Sequence, residues 1–562
     1  MFSPYIKPSL VRIFPPLVIA LFAFIQVGWF MDSRGNPNET IFIELSQQRP
    51  GLLGFIYPFD MSRVLLSLSY HLAFLISDGG YISLHIVNTT LLWLTGLLVF
   101  LVVQSLPGFS PRVAIIASIF VVVHGADRAI AFMPLLQVRQ GIVGALLAVY
   151  SYIRLCETGQ KRWAVLLVVG QALALWTYEA LLPIILVSGY VIVKWKRGSW
   201  HKIIIWYLVP GLNILHLVFR YAVETQPSYQ LSRVVMPDIS EIATRLVLVV
   251  YESVNFFSWP AVWLENRVAG CFWEIMHLIA MPLLCSLAAA VVLAVYSFKG
   301  EVVGRSSCRP GLALALVLLL IVTYAPFLFV NNLFNGNNNN YSIGTWRAHF
   351  FGAIPSSIIL SGFVRFLYLR FGRVIAASLT VLVILAGSFC GLVSQLEGQA
   401  IWGQSKMILR AIIDQAPHLK DDSFVALLDV PSGRLRSICH DGGSFDPYID
   451  TMWFNSALKV LYPGARLVGL YWTQDYQVQS SIQFLAVGDH LSLTHSPVSV
   501  DATYFSIDKV VAFRFDSKKG AVLLPVLSPN EIPGLTETAQ YFPASRIDAH
   551  YPAHPATISK LR

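Results

Sequence analysis

Residues 82–104 read ISLHIVNTTLLWLTGLLVFLVVQ, a run without a single Lys, Arg, Asp or Glu. At about 1.5 Å of rise per residue, a helix of this length is long enough to cross the roughly 30 Å hydrocarbon core of a bilayer. Comparable apolar runs recur at 13–31, 113–125, 137–155, 163–178, 181–194, 203–220, 273–297, 311–330, 348–368 and 374–394. The composition agrees: 56% of the 562 residues are hydrophobic and only 13% are charged, whereas soluble domains carry about 25% charged residues. A soluble enzyme, a disordered chain and a nucleic-acid binder are therefore poor readings. The expected fold is an all-α polytopic membrane domain of about eleven transmembrane helices over residues 1–395, followed by a small α/β domain over 400–562.

Charge sets the expected sidedness. If the chain alternates sides through these spans, Lys161, Arg162, Lys194, Lys196, Arg197, Lys202, Lys299, Arg305, Arg309, Arg370 and Arg373 all fall in connections on one side, as the positive-inside rule requires of cytoplasmic loops. The whole chain carries +9 and the tail from residue 400 about −1, so the basic excess belongs to the membrane portion and reports topology. Lys7 and Arg12 precede the first run, which lacks a small-residue cleavage site and reads as a retained span with a cytoplasmic amino end. The opposite, outer side then receives a long first loop (32–80), with 64–76 lying at the interface, and a segment 221–272 whose residues 245–258 suit a flat amphipathic lid. It also receives the tail, where β-rich runs at 424–428, 467–471, 482–487 and 510–515 alternate with turn residues. The six cysteines form no CxxC pair and are expected to be buried thiols. No internal repeat of the kind found in inverted-repeat transporters is visible.

Ionisable groups at membrane depth are costly and mark functional candidates. Asp32 follows the first span immediately; it is either a solvated loop acid or a carboxylate at a site on the outer surface. His85 and Asn88, spaced i, i+3, share a helix face and either line a cavity or bond neighbouring helices. Asp127, Arg128 and Arg139 form a second polar cluster, for which an ion pair is the plainer reading. Glu179 sits between two apolar segments with almost no loop and needs a partner, with Arg139 or Arg128 the nearest candidates. Arg347, between Trp346 and His349 at the start of a late span, either snorkels to water or offers a guanidinium fork to a phosphate.

This layout resembles the GT-C superfamily of polytopic glycosyltransferases that use polyprenyl-phosphate-linked sugars, over residues 10–395. The carrying features are Phe30-Met31-Asp32 after the first span, Arg49-Pro50 in the long first loop, and Tyr81-Ile-Ser-Leu-His-Ile-Val-Asn88 entering the second. Tyr178-Glu179 and Tyr341-Ser-Ile-Gly-Thr-Trp-Arg347-Ala-His-Phe-Phe complete the set. The resemblance implies an inverting transfer on the outer face of a bacterial inner membrane, from a polyprenyl-phosphate sugar to a glycan, lipid or protein acceptor. It implies Asp32 as general base and Arg347, with Arg139 or Arg49, against the departing phosphate; His85, Asn88 and Glu179 are the further substrate-binding candidates. Many members carry two adjacent acids after the first span, whereas Asp32 is followed by Ser33 and Arg34, so Glu39, Glu44 and Asp60 compete for the base role. No metal ligand set is expected and no cofactor is implied, although divalent metal dependence varies within the superfamily. The competing readings are a transporter or flippase of a lipid-linked or polar solute, and a non-catalytic envelope assembly protein.

Overall fold

The computed structural model describes residues 8–31, 51–56, 63–77, 81–106, 108–127, 136–196, 200–223, 237–264, 271–298, 310–328, 343–429, 451–462, 465–471, 483–487, 490–495, 500–516, 518–527, 543–547 and 551–552. The chain divides into two compact units. One holds Met1–Asp32, Gly51–Glu265 and Cys271–Gln395; the other holds Ser33–Pro50, Asn266–Gly270 and Leu396–Arg562.

The first unit is helical. Its elements are α1 (Pro8–Ala23), α2 (Leu68–Ser77), α3 (Tyr81–Gln104), α4 (Pro111–Val122), α5 (Leu136–Thr158), α6 (Lys161–Leu175) and α7 (Leu182–Lys196). There follow α8 (Trp200–Val223), α9 (Ile239–Val254), α10 (Ser258–Trp263), α11 (Phe272–Phe298), α12 (Pro310–Leu328), α13 (Ile343–Phe371) and α14 (Arg373–Gln415). Seven helices among the described residues are long and apolar enough to cross a membrane: α3, α5, α8 and α11 to α14. The other four expected spans form shorter helices, α1, α4, α6 and α7, so length and composition alone do not establish a count of eleven.

Small residues let α5 and α6 pack closely. A Cβ added at Gly144 on α5 would lie 2.7 Å from the Gly170 carbonyl oxygen, and one added at Gly170 on α6 would lie 2.8 Å from the Ala148 nitrogen. Gly144-x-x-x-Ala148 thus faces Gly170-x-x-x-Ala174, the small-residue spacing that lets two membrane helices approach backbone to backbone. At the end of α1 the chain widens into a π-helical turn, Phe24–Gly28. Such a turn frees backbone groups, and Gln395 of α14 meets them: its Nε2 donates to the Ile25 carbonyl at 2.8 Å and its Oε1 accepts from the Phe30 N–H at 3.4 Å.

Segment 245–258, expected to lie flat as a lid, forms the second half of α9 and its continuation, and α9 packs against α12 and α13. Its buried face carries Arg245, Val249, Glu252 and Ser253. A polar inner face is tolerable because its groups are bonded; Arg245 Nη1, for one, donates to the Leu328 carbonyl at 2.7 Å. The cysteine expectation also needs correction. Cys156, Cys285 and Cys390 are free, but Cys271, at the start of α11, is disulfide-bonded to a partner outside the described residues. Spacing alone gave no sign of it, because a disulfide depends on how the chain folds back.

The second unit carries a four-stranded sheet of order β3-β2-β7-β8, formed by β2 (Phe424–Leu428), β3 (Val468–Tyr471), β7 (Val510–Asp516) and β8 (Gly520–Leu523). The remaining strands are β1 (His418–Leu419), paired with β9 (Tyr551–Pro552), and β4 (Gln483–Val487), β5 (His490–His495) and β6 (Val500–Ser506), an antiparallel meander. Strand β2 runs parallel to both neighbours and is buried along its whole length, which explains its unbroken apolar sequence. Helix α15 (Thr451–Leu461) covers β3. The Gln415 amide donates to the Ala521 carbonyl and accepts from the Leu523 N–H, each at 2.8 Å, extending the hydrogen bonding of β8.

On the surface of this unit, the Arg466 backbone N–H donates to Asp421 at 2.6 Å and its guanidinium reaches the same carboxylate at 3.0 Å. The backbone bond first, and the side-chain bond second, hold the Asp421 carboxyl below the usual aspartate range. A carboxyl depressed on folding contributes stability that is complete above its unfolded value, near 3.9, and lost as the pH falls through the folded one. Asp421→Asn is therefore expected to lower stability near neutrality and to flatten the acid limb, the two proteins converging as the pH falls through the folded value. Hydrogen exchange of the β2 and β3 amides as a function of pH checks it.

Candidate functional site

The same end of several helices of the first unit brings together a buried polar cluster. His124 and Asp127 follow α4, Arg139 lies in the first turn of α5, and Glu252 and Ser253 are near the end of α9. Tyr324 lies near the end of α12, while His349 and Ser356 lie early in α13. All eight are buried, with Glu252 and Asp127 the most exposed at 7%.

The hydrogen bonds have a direction. His349 Nε2 lies 2.9 Å from Glu252 Oε2, and His349 Nδ1 lies 2.9 Å from Tyr324 Oη. A carboxylate only accepts, so Nε2 carries the hydrogen, Nδ1 is the acceptor, and the Tyr324 hydroxyl donates to it. Ser253 Oγ bonds Tyr324 Oη in turn. On the other side of Ser253, His124 Nε2 donates to the Ser253 carbonyl at 3.1 Å and reaches Ser356 Oγ at 2.9 Å. The Trp259 indole N–H fixes the backbone beside the acid, donating to the Glu252 carbonyl at 2.8 Å. Gly352 leaves the space the phenol occupies; a Cβ there would fall 2.0 Å from Tyr324 Oη.

Arg139 is 3% exposed. Its guanidinium carbon lies 5.4 Å from the centroid of the Phe350 ring, and Asp127 acts on it electrostatically. Asp127 also lies within electrostatic range of Tyr324. One turn along α5 from Arg139, Ile142 lines an apolar cavity of about 110 Å³ between α3, α5, α7, α12 and α13. Ala145, Leu181, Thr323 and Phe351 line it too. Thr323 and Phe351 are the chain neighbours of Tyr324 and Phe350, so the polar cluster stands at one end of an apolar groove.

Glu179 takes a different partner from the two expected. Arg63 grips it in a bidentate pair, Nε to Oε2 at 2.7 Å and Nη2 to Oε1 at 2.6 Å. The same guanidinium sits over the Tyr178 ring at 5.2 Å, and Tyr178 stacks on Phe351 at 5.8 Å. The neighbouring Gln140 amide donates to Thr177 Oγ1 at 2.7 Å and to the Leu65 carbonyl at 2.9 Å. This pair fastens the 63–67 turn to the rim of the groove. Replacing Arg63 by alanine strands a half-buried carboxylate and is expected to destabilise the protein by roughly 1–3 kcal/mol. Thermal unfolding in detergent measures it, and Arg63→Met with Glu179→Leu should recover part of the loss.

Of the remaining candidates, His85 and Asn88 are both buried on α3, and neither amide atom of Asn88 has a hydrogen-bond partner among the described residues. Arg347 belongs to α13, two residues before His349, with its side chain outside the described residues. Asp32, Arg49 and Arg128, and the competing acids Glu39, Glu44 and Asp60, lie outside the described residues. Among the described residues no group of three or more His, Cys, Asp or Glu comes together to hold a metal. Sequence reading missed the roles of Glu252, Ser253, Tyr324 and His124. The one available signal was an acid, Glu252, within the mostly apolar run 246–254.

No family model matches the chain, and no curated protein matches it. Among solved structures it is similar to ArnT from Cupriavidus metallidurans bound to undecaprenyl phosphate, at 12% identity and a TM-score of 0.37, over 86% of this chain and 97% of that one. A likeness at that score carries no argument about activity.

Proposed function

We propose that the chain is a membrane glycosyltransferase that moves a sugar, with inversion, from a polyprenyl-phosphate donor to a cell-envelope acceptor at the outer membrane face. The observation that carries this reading is Arg139, a buried guanidinium one helical turn from the lining of an apolar groove. A lipid chain suits such a groove, and a phosphate at its head would meet the cation, an arrangement worthless to a small soluble substrate. In this reading Arg139, with Arg347 and Arg49, neutralises the departing phosphate. Asp32 orients or deprotonates the acceptor hydroxyl, His85 and Asn88 contribute from α3, and Glu179 acts through the rim it holds.

The disulfide at Cys271 supports the assignment of sides. Disulfides persist in oxidising, non-cytosolic compartments, and the positive-inside pattern independently puts the start of α11 there. By the same alternation the amino end is cytoplasmic and the second unit extracytoplasmic, in a bacterial inner membrane.

A second reading has one observation in its favour: chains of Glu, His and Tyr inside a membrane domain also serve proton-coupled transporters. The two separate cleanly in reconstituted membranes. Given a polyprenyl-phosphate-linked sugar and an envelope extract, a transferase produces a new glycosidic bond and free polyprenyl phosphate. Movement of the intact lipid-linked sugar across the bilayer without a new bond refutes transfer and establishes transport.

A further inference from the structure

The chain of bonds from Ser253 through Tyr324 and His349 to Glu252 uses every polar atom in one direction, and the chemistry proposed above leaves it without a task. The geometry points to a proton relay: the proton released in the site beside Asp127 and Arg139 leaves through Tyr324 and His349 and comes to rest on Glu252. This rests on the transferase reading.

Transfer releases one proton. The acceptor oxygen bonds to the anomeric carbon, the anomeric C–O bond breaks with its electron pair on the lipid phosphate, and the acceptor hydrogen is left on the base. For a second turnover the base must be cleared. The relay accomplishes this with two bonds already in place. A proton arrives on Tyr324 Oη, the original Tyr324 hydroxyl hydrogen crosses 2.9 Å to His349 Nδ1, and the hydrogen on His349 Nε2 crosses 2.9 Å to Glu252 Oε2. One proton enters and one is held, the imidazole has exchanged tautomers, and no charge is left on Tyr324 or His349. The end points differ as a relay needs: Tyr324 is completely buried and feels the Asp127 charge, whereas Glu252 is 7% exposed and is the most open member of the chain. His349 meets Glu252 from α9 and Tyr324 from α12, with His124 behind Ser253 and Asp127 and Arg139 beyond Tyr324. The Trp259 bond to the Glu252 backbone and the space left by Gly352 hold the two ends in place.

The decisive variant is Glu252→Gln. Its amide oxygen still accepts from His349 Nε2, so packing is kept, but it takes up no proton. Full-length protein in nanodiscs, given a polyprenyl-phosphate-linked hexose with an envelope extract as acceptor, is expected to lose about tenfold or more in kcat. KM for the donor and the melting temperature should stay near the wild-type values. The solvent deuterium isotope effect on kcat should change, and the pH dependence of kcat should differ from wild type. Tyr324→Phe should behave alike, and Glu252→Asp should restore part of the rate. Wild-type kcat, isotope effect and pH profile in Glu252→Gln and Tyr324→Phe overturn the relay and leave the transferase standing. A loss confined to melting temperature, or shared equally by kcat and KM, marks a structural network and overturns the relay as well. A wild-type protein that forms no glycosidic bond overturns the transferase reading and the relay with it.

Discussion

Arg139→Ala is expected to lower sugar transfer from a polyprenyl-phosphate donor by about 10²–10³-fold, the usual cost of removing one preorganised group from a charge that develops in the transition state. The reasoning starts from burial. A guanidinium that is 3% exposed, over the Phe350 ring and within the field of Asp127, is shielded from the water that weakens surface cations. Alanine also leaves Asp127 without that neighbour, so melting temperature must be followed beside the rate. Arg139→Lys keeps the charge but loses the fork, and it should recover only part of the activity. The discriminating measurement is affinity for polyprenyl phosphate against the uncharged polyprenol. The variant should lose the preference for phosphate and retain binding of the alcohol, because the groove is untouched. Unchanged preference would remove Arg139 from the site.

Asp32→Asn carries an equally large expectation, a fall of about 10²–10⁴-fold in transfer. It follows from the resemblance and from the position of the residue directly after the first span. An amide neither takes the acceptor proton nor orients the hydroxyl as a charged acceptor does. Donor binding should persist, since the phosphate contacts are elsewhere; kcat should therefore fall with little change in donor KM. Parallel variants at Glu39, Glu44 and Asp60 identify the base, because only the true one shows the full loss. Wild-type transfer in Asp32→Asn reassigns the role.

The helical membrane domain was legible because its signal is chemical and local: long uncharged runs and basic residues confined to alternate connections. The parallel strand β2 was legible for the same reason, Phe424–Leu428 being a continuous apolar stretch with turn residues around it. The meander strands β5 and β6 were not, since their alternating pattern is diluted by His, Ser, Thr and Asp. In the site, the sequence singled out Asp127, Arg139 and Glu179 as groups that need explaining, yet it chose a different partner for Glu179 from the one the structure shows. Arg63 lies 116 positions away, inside a segment that reads as loop, and only the fold brings it near. The relay was harder still. Tyr324 looks like one more aromatic in an apolar run, and a serine contributes nothing to a hydropathy pattern. Their meaning appears only when α9, α12 and α13 meet. Glu252 alone left a trace, an acid within a mostly apolar stretch of helix.

The clasp between Gln395 and the π-turn joins residues 365 and 370 positions apart. A nascent chain emerging from the ribosome thus inserts its opening segment long before the glutamine that secures it has been synthesised. Until then the π-turn that ends α1 lacks its fastening.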